Sequence, residues 1–229
     1  DIVKIVLFGA TGMVGQGVLR EALRAPDVDL VLAVGRSPTG LTHPRLRELV
    51  HRDFTDFSGV EAQLEGFDAC FYCLGVSAAG SSEADYRRVT YDFTLAAANA
   101  LARRNPALTF VYVSGAGTDG TAKGSSMWAR VKGETENALR RLPFRAAYMF
   151  RPAFIRPAHG ERSRTASYRA FYAATGWLFP LLRRVAPRHV TTTEEVARAM
   201  LHVAREGAAQ AVLENEEIVR LAGSTNRSS

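Results

Sequence analysis

The sequence predicts an α/β fold built on a doubly wound parallel sheet, with a small C-terminal elaboration on the substrate side. Apolar runs of strand length alternate with segments of helical periodicity, which is the pattern of a parallel sheet covered on both faces. The first run leads directly into the loop Gly9-Ala10-Thr11-Gly12-Met13-Val14-Gly15, and an amphipathic helix follows at once. That order is typical of the first βαβ unit of a Rossmann-type fold.

The individual elements follow from apolar periodicity and from helix-breaking residues. The helix after the glycine loop is predicted from about Gly12 to Ala25, because Pro26 cannot continue it. The predicted strands are Lys4 to Phe8, Leu30 to Val34, Glu48 to His51, Ala69 to Leu74, Thr109 to Val113 and Ala146 to Phe150. The other predicted helices are Glu83 to Arg104, Ser126 to Arg141, Ser167 to Leu182 and Thr193 to Arg205.

Length and composition fit one domain. The 229 residues are 47% apolar and 23% charged, which is enough to bury a single large core. We expect one domain over residues 1–223, a substrate-side segment at about 153–190 and a disordered polar tail at 224–229. No secretory signal pattern and no apolar run of bilayer length are present. The composition therefore predicts a soluble, cytoplasmic protein without stable membrane insertion.

The net charge of +6 raises the question of a nucleic acid partner. The paired arginines are spread along the chain, and most lie near the ends of predicted helices, where cations offset the helix dipole. These pairs are Arg87-Arg88, Arg103-Arg104, Arg140-Arg141 and Arg183-Arg184. This distribution favours a solvated surface over a nucleic acid-binding stripe.

Two cysteines and five histidines could carry redox or metal chemistry. Cys70 and Cys73 form a C-x-x-C, but they lie in an apolar run that is predicted to be a buried strand, where residues three apart point to opposite faces. The histidines lack ligand spacing. We expect two unconnected core thiols and no metal site.

The glycine loop predicts a nicotinamide dinucleotide cofactor. Gly9 permits a tight turn, Gly12 lets the main chain approach the pyrophosphate, and Gly15 lets helix and strand pack closely. Free N–H groups at the helix N-terminus then face the phosphates, so Thr11, Met13 and Val14 are also expected at the cofactor. The spacing and context together make this the strongest functional signal in the chain.

The end of the second strand indicates which dinucleotide is bound. An acidic residue there would accept hydrogen bonds from the ribose 2′-hydroxyl of NAD, but the chain has Gly35-Arg36-Ser37. The Arg36 guanidinium can pair with the 2′-phosphate of NADP and stack on the adenine. We therefore expect NADP(H) in preference to NAD(H).

Further motifs make the chain resemble the atypical or extended short-chain dehydrogenases/reductases, the epimerase/dehydratase-like NAD(P)-binding proteins. They are Gly9 to Gly15, Asp53-Phe54, Cys73-Leu74-Gly75, Tyr112-Val113-Ser114, Val131-Lys132-Gly133-Glu134, Arg151-Pro152-Ala153-Phe154-Ile155 and Thr193-Glu194-Glu195-Val196-Ala197. The resemblance implies that Asp53 and Phe54 flank the adenine. It also implies that Leu74, Gly75 and Val76 pass along the cofactor ribose.

The same resemblance implies a catalytic set of Ser, Tyr and Lys with a supporting Asn. Ser114 and Lys132 match in place, and Lys132 would hold the nicotinamide ribose. The Tyr position, four residues before Lys132, holds Trp128, and the Asn position holds Thr90. An indole N–H donates a hydrogen bond but exchanges no proton at ordinary pH, so Trp128 cannot replace a phenol.

Two tyrosines further along offer an alternative proton donor. Tyr168 and Tyr172 lie four apart on one predicted helical face, among other aromatic residues. A packed aromatic helix explains the same pattern and is the preferred interpretation.

Three functions stay open. The favoured one is an oxidoreductase or epimerase/dehydratase-type enzyme acting on a small carbonyl or hydroxyl substrate, with Ser114 and Lys132 intact beside the cofactor loop. The second is a non-catalytic NADP(H)-sensing regulatory or scaffold protein, as in NmrA-like members of this branch, which Trp128 suggests. In the third, Tyr168 to Leu182 lies on a membrane surface or covers an apolar substrate. The substrate and the oligomeric state, including a homo-oligomer, are not readable from the sequence.

Overall fold

The computed structural model describes residues 3–163 and 165–224. Its centre is a seven-stranded parallel sheet, and a second sheet has two short parallel strands. The strands of the large sheet are β1 (Val3–Phe8), β2 (Val28–Gly35), β3 (Leu46–Val50), β4 (Ala69–Tyr72), β5 (Thr109–Val113), β6 (Ala146–Arg151) and β9 (Val212–Glu214). The small sheet pairs β7 (Phe154–Arg156) with β8 (Val190–Thr192).

Helices cover both faces of the large sheet. They are α1 (Met13–Arg24), α2 (Glu83–Arg87), α3 (Phe93–Arg104), α4 (Met127–Arg140), α5 (Ala166–Thr175), α6 (Phe179–Val185), α7 (Thr193–Glu206) and α8 (Asn215–Ser224). Among the described residues, none of the helices combines the length and the apolar character that a bilayer span needs.

The strand order places a crevice at the centre of the sheet. The order is β3-β2-β1-β4-β5-β6-β9, so the chain moves outward from β1 to β3 and then returns to build the other half from β4. β1 therefore pairs with β2 on one side and with β4 on the other. Loops leaving the carboxyl ends of β1 and β4 diverge to opposite faces, and ligands of open α/β sheets bind in the gap between them.

Apolar side chains pack in one layer on each side of the sheet. One layer joins the α1, α7 and α8 faces, with Leu19, Met200 and Ile218 fully or almost fully buried. The other joins α3 and α4 to the sheet through side chains such as Leu101 and Leu139. The strands are buried on both faces, which explains why their sequences are continuous apolar runs without alternation.

The predicted fold class is confirmed, and the first six strands lie where the sequence places them, to within a few residues. β4 ends at Tyr72 and not at Leu74, so Cys73 lies just past the strand, where its N–H donates to the Phe8 carbonyl. The three strands β7, β8 and β9 and helix α8 were not predicted. Each of these strands has only three residues, which is too few to show a periodic pattern of apolar residues in the sequence.

Two predicted helices are interrupted. The segment from 83 to 104 is α2 and α3 joined by a π-helical turn at Arg88–Asp92. The segment predicted as Ser167 to Leu182 is α5 and α6, joined by a 3₁₀ turn at Gly176–Leu178; Pro180 is the second residue of α6, in the first turn, where a missing N–H breaks no intrahelical hydrogen bond. Ser224, expected in the tail, is the last residue of α8, and the rest of that tail lies outside the described residues.

We predict that Gly17→Ala destabilises the fold. A Cβ at Gly17 in α1 would lie 2.8 Å from the Thr193 Cβ at the start of α7, so the two helices would have to separate. Overpacking of this kind costs about 1–3 kcal/mol. Urea unfolding followed by circular dichroism measures the loss of unfolding free energy.

The matched control is Gly223→Ala in α8, where a Cβ meets no atom within 4 Å. That variant should keep the free energy of unfolding or raise it by up to ~1 kcal/mol, and equal losses in both would contradict the packing argument.

Candidate cofactor-binding site

The glycine loop is held by backbone contacts that leave no room for side chains. Gly9 has a φ of +84°, and a Cβ there would lie 2.6 Å from the backbone of Cys73 and Leu74 after β4. A Cβ at Gly15 would lie 1.8 Å from the Gly9 carbonyl oxygen. These two glycines therefore fix the distance between α1, the end of β1 and the end of β4.

Gly12 is open on the side where a ligand would lie. It precedes α1 in an extended conformation, with no side-chain cap on the helix, and the first turn carries no acidic residue. A Cβ at Gly12 would make only an ordinary 3.5 Å contact with the Gly9 carbonyl oxygen. The first turn of an α-helix has free N–H groups and the positive end of the helix dipole, so this geometry fits an anionic pyrophosphate.

A crevice opens beside the loop, between the carboxyl ends of β1, β2 and β4. Its lining includes Gly9, Thr11, Gly35, Arg36, Phe54 and Leu74. All six were singled out from the sequence as cofactor-site residues or their neighbours. Met13 and Val14 form the first turn of α1, next to this crevice.

The rim of the crevice carries one cation and one carboxylate. Arg36 is exposed and makes no ion pair within the described part of the chain. The Glu48 carboxylate accepts a hydrogen bond from the Thr39 backbone N–H, which ties it to the loop after β2. Sequence analysis missed Glu48 as a lining residue, because its place on β3 becomes relevant only when β3 pairs with β2.

Asp53 and Phe54 have different surroundings although they are adjacent. Phe54 is buried, packs edge-to-face on Phe8 with ring centroids 6.2 Å apart, and lines the crevice. Asp53 is exposed, and hydrogen bonds from the Thr55 side chain and backbone lower the pKa of its carboxyl group. Gly75 and Val76 are exposed beyond β4. The roles expected for Asp53, Gly75 and Val76 stay predictions.

Lys132 lies at the other end of the site, on α4. Its ammonium group donates a 2.8 Å hydrogen bond to the Ser114 carbonyl oxygen and lies 5.8 Å from the centre of the Tyr112 ring. Burial lowers the pKa of Lys132 to about 8, and the nearby Glu136 carboxylate partly opposes this shift. The structure thus joins Lys132 to the Ser114 main chain and not to the Ser114 hydroxyl.

The Ser114 hydroxyl is buried and already has a partner. It donates to a Glu136 carboxylate oxygen at 2.7 Å. Glu136 is 1% exposed and forms a two-pronged ion pair with Arg151, with N···O distances of 2.6 and 3.0 Å. Arg151 also reaches Glu214 of β9 at 3.0 Å. In this arrangement the Ser114 hydroxyl serves a buried ionic group that joins α4 to β6 and β9.

Sequence analysis missed Glu136 and named Arg151 only as part of a motif. A signal was present: Glu136 lies four residues after Lys132, on the face of α4 that also carries the buried residues Gly133 and Leu139. A charged residue on a buried helical face requires a partner. Its partner is 15 residues away on β6, and only the fold shows that the two meet.

The remaining catalytic candidates do not converge on Lys132. The Trp128 ring packs on the loop after β5, since a Cβ at Gly117 would lie 3.4 Å from it. Thr90 is buried in the π-helical turn. Tyr172 is half-buried against Phe154, with ring centroids 5.4 Å apart, and burial raises its pKa, while Tyr168 is exposed. Of the aromatic residues of α5, Phe171 and Tyr172 contact Phe154, so the preferred interpretation of a packed helix holds only for that side of α5.

The two cysteines stay separate in the fold, whereas one histidine lies close to two carboxylates. Cys70 and Cys73 are both free, and burial raises the pKa of Cys73 to about 12, so neither thiol is a ready nucleophile. The fold brings His159 to within 2.7 Å of Glu194, near Glu21. Arg198 pairs with Glu194 and lies 3.9 Å from Glu21, so one guanidinium offsets part of the charge of the two carboxylates.

Comparison with solved structures defines the class. An oxidoreductase of the short-chain dehydrogenase/reductase family from Burkholderia thailandensis has a TM-score of 0.67 at 17% identity, over 100% of this chain and 99% of that one. The Bordetella bronchiseptica enzyme WbmF, solved in complex with NAD⁺, has a TM-score of 0.66 at 17% identity, over 98% of this chain and 78% of that one. The chain is a Rossmann-type protein with the short-chain dehydrogenase/reductase fold.

The family follows from the sequence. A family model described as NAD(P)H-binding matches residues 9–148, which is more than half of the chain. The protein belongs to this NAD(P)H-binding family, as its resemblance to the short-chain dehydrogenases/reductases predicted.

Two curated relatives cover almost the whole chain. "Protein fmp52-2, mitochondrial" of Aspergillus oryzae is 27% identical over 94% of this chain and 95% of its own. "Protein HTATIP2" of Rattus norvegicus is 26% identical over 95% of this chain and 88% of its own. The expected cytoplasmic location is wrong by this comparison, because the fungal relatives are named as mitochondrial proteins.

We predict that cofactor affinity falls as the pH rises through about 8. A lysine with a pKa of about 8 is charged below that value and neutral above it. The ammonium group expected to hold the nicotinamide ribose thus loses charge between pH 7 and pH 9. Fluorescence titration with NADPH should show the dissociation constant rising across this window. In Lys132→Arg the guanidinium stays charged, so the step should disappear, and a pH step of the same size in both proteins would count against Lys132 as its origin.

Proposed function

We propose that the protein is an NADP(H)-binding member of its family that reports cofactor state to other molecules, without the tyrosine-dependent proton transfer of short-chain dehydrogenases/reductases. The observation that carries this proposal is Trp128, which takes the tyrosine position beside Lys132 and packs on the loop at Gly117. An indole holds its N–H proton at ordinary pH and cannot protonate a carbonyl oxygen.

Among the described residues, the polar groups bonded to Lys132 and Ser114 include no phenol, and the nearby Tyr112 ring is buried. The Ser114 hydroxyl donates to Glu136, and the Lys132 ammonium donates to the Ser114 carbonyl oxygen. The Tyr112 hydroxyl is buried, and burial raises its pKa well above the usual value. Ser114 and Lys132 therefore make their hydrogen bonds to other groups of the protein. We infer that the protein binds its cofactor without a proton donor of the usual kind.

The preference for NADP(H) rests on Arg36. It lies at the end of β2 on the rim of the crevice, where the adenosine ribose of a dinucleotide is placed in this fold. No acidic residue takes the position at the end of β2 that would favour the 2′-hydroxyl of NAD. A planar guanidinium matches a phosphate through two parallel hydrogen bonds and can stack on the adenine.

Arg36→Ala should weaken NADPH binding at least tenfold and NADH binding far less, because only NADPH has the 2′-phosphate while both cofactors have the adenine. Isothermal titration calorimetry with both cofactors measures this. The matched control is Arg47→Ala, an exposed arginine on β3 that does not line the crevice. Equal losses for both cofactors would mean that Arg36 does not select the phosphate, and unchanged NADPH binding would remove the basis for the preference.

Trp128→Tyr tests whether the missing phenol alone prevents chemistry. We expect the wild-type protein to bind NADPH without oxidising it in the presence of a panel of aldehydes and ketones. Restoring Tyr four residues before Lys132 should give measurable NADPH oxidation, followed at its absorbance maximum, and Trp128→Phe should not. Steady turnover by the wild-type protein that is lost in Trp128→Phe would overturn the proposal.

One observation favours an oxidoreductase as the second candidate. A lysine with a pKa of about 8 exchanges its proton near neutral pH, so Lys132 could act as a general acid without a tyrosine. This candidate requires wild-type turnover that disappears in Lys132→Ala and persists in Trp128→Phe. The same carbonyl panel therefore separates the two functions.

A further inference from the structure

The surface of α5 and α6 carries a concentration of exposed large apolar side chains. We call this the α5–α6 patch; its members are Tyr168, Phe171, Trp177, Leu181 and Val185. Trp177 is 79% exposed and Val185 is 74% exposed, the highest values among the large apolar residues of the described chain. Leu181 and Val185 lie four apart on α6, so their side chains share one face of the helix.

This exposure is not caused by loose packing of the two helices on the protein. Their inner side is anchored on Phe154 of β7, whose ring centroid lies 6.4 Å from that of Phe179 and 5.4 Å from that of Tyr172. Phe179 is 4% exposed, and the Arg156 guanidinium covers its ring at 5.0 Å. Phe171 also contacts Phe154, with ring centroids 5.9 Å apart, so the part of the α5–α6 patch outside this packing consists of Tyr168, Trp177, Leu181 and Val185.

The charge of the same segment is one-sided. Residues 162–193 contain six arginines and no Asp or Glu, so this segment carries as much net positive charge as the whole chain. Two of the six, Arg183 and Arg188, pair with Glu195 and Glu216 of neighbouring helices. Arg184 is exposed and forms no ion pair within the described residues. The exposed apolar side chains of α6 are therefore next in sequence to Arg183 and Arg184, in a segment without acidic residues.

We propose that the α5–α6 patch binds the surface of a lipid bilayer that contains anionic lipid. Tryptophan and tyrosine favour the headgroup region, and aliphatic side chains enter the acyl boundary beneath it. Arginines beside them pair with lipid phosphates, and a negative surface attracts them from solution. Helices of 10 and 7 residues are too short to cross a bilayer, so they lie on it.

Two other occupants fit this face less well. A second copy docked by twofold symmetry would bring one arginine-rich segment against another, and like charges across an interface oppose association. A nucleic acid could bind the arginines through its phosphates and stack a base on Trp177. It has no apolar surface that would cover Leu181 and Val185. The pairing of aliphatic and cationic groups matches a lipid headgroup above its acyl chain.

Vesicle flotation of the full chain tests the proposal. The protein should float with vesicles of phosphatidylcholine and phosphatidylglycerol, and not with phosphatidylcholine alone. Raising the salt from about 0.1 M to about 0.5 M should release most of it, because screening weakens attraction to a charged surface. The triple variant Trp177→Ser, Leu181→Ser, Val185→Ser should lose at least tenfold in vesicle partitioning. It should keep its NADPH affinity and circular dichroism spectrum, which shows that it still folds.

The matched control is Leu41→Ser, another exposed leucine, which lies on the loop between β2 and β3 and should float like the wild type. In a Trp128→Phe background Trp177 is the sole tryptophan, and its emission should shift to the blue on anionic vesicles. Equal flotation on neutral vesicles, or an unaffected triple variant, would overturn the proposal. So would a dimer that the triple variant dissociates, or binding to DNA or RNA oligonucleotides without binding to vesicles. None of these outcomes depends on whether NADPH is bound.

Discussion

The structure depends on one close approach of backbone to backbone. The Gly9 carbonyl lies where a side chain at position 15 would be, and the chain leaving β4 lies where a side chain at position 9 would be. These contacts bring α1, β1 and β4 together at the point where the strand order reverses. The same approach aims the free N–H groups of α1 into the crevice. The same two glycines, Gly9 and Gly15, are therefore required both for packing α1 on the sheet and for shaping the crevice.

A buried ionic group decides the character of the other end of the site. Glu136 is buried, Arg151 is largely buried, and two hydrogen bonds from the Arg151 guanidinium join them. The Ser114 hydroxyl completes this group and thereby faces α4. Lys132, on the same helix, then finds its partner in the Ser114 main chain. The Ser114 hydroxyl and the Lys132 ammonium group, which a proton relay would need, are thus hydrogen-bonded within the protein. This agrees with an indole at position 128.

The C-terminal elaboration gives the molecule a surface unlike the rest. Its inner aromatic side chains pack on β7, and its outer ones remain in contact with water. Residues 162–193 contain six arginines and no acidic residue, although Arg183 and Arg188 pair with Glu195 and Glu216 of neighbouring helices. The cofactor proposal thus concerns the crevice at the carboxyl ends of the strands, and the membrane proposal concerns the outer surface of the elaboration.

The sequence by itself determined the sheet, the order of its main elements and the glycine loop, because each of these is written in residues close together along the chain. Apolar period, Pro26 and the spacing of Gly9, Gly12 and Gly15 were sufficient. Only the tertiary structure decided the three-residue strands, the partner of Glu136 and the direction of the Ser114 hydroxyl. Those features depend on groups that are distant in sequence, such as β9 on the edge beside β6. A pattern of neighbouring residues cannot predict a contact with a residue that lies elsewhere in the chain, as Arg151 does for Glu136.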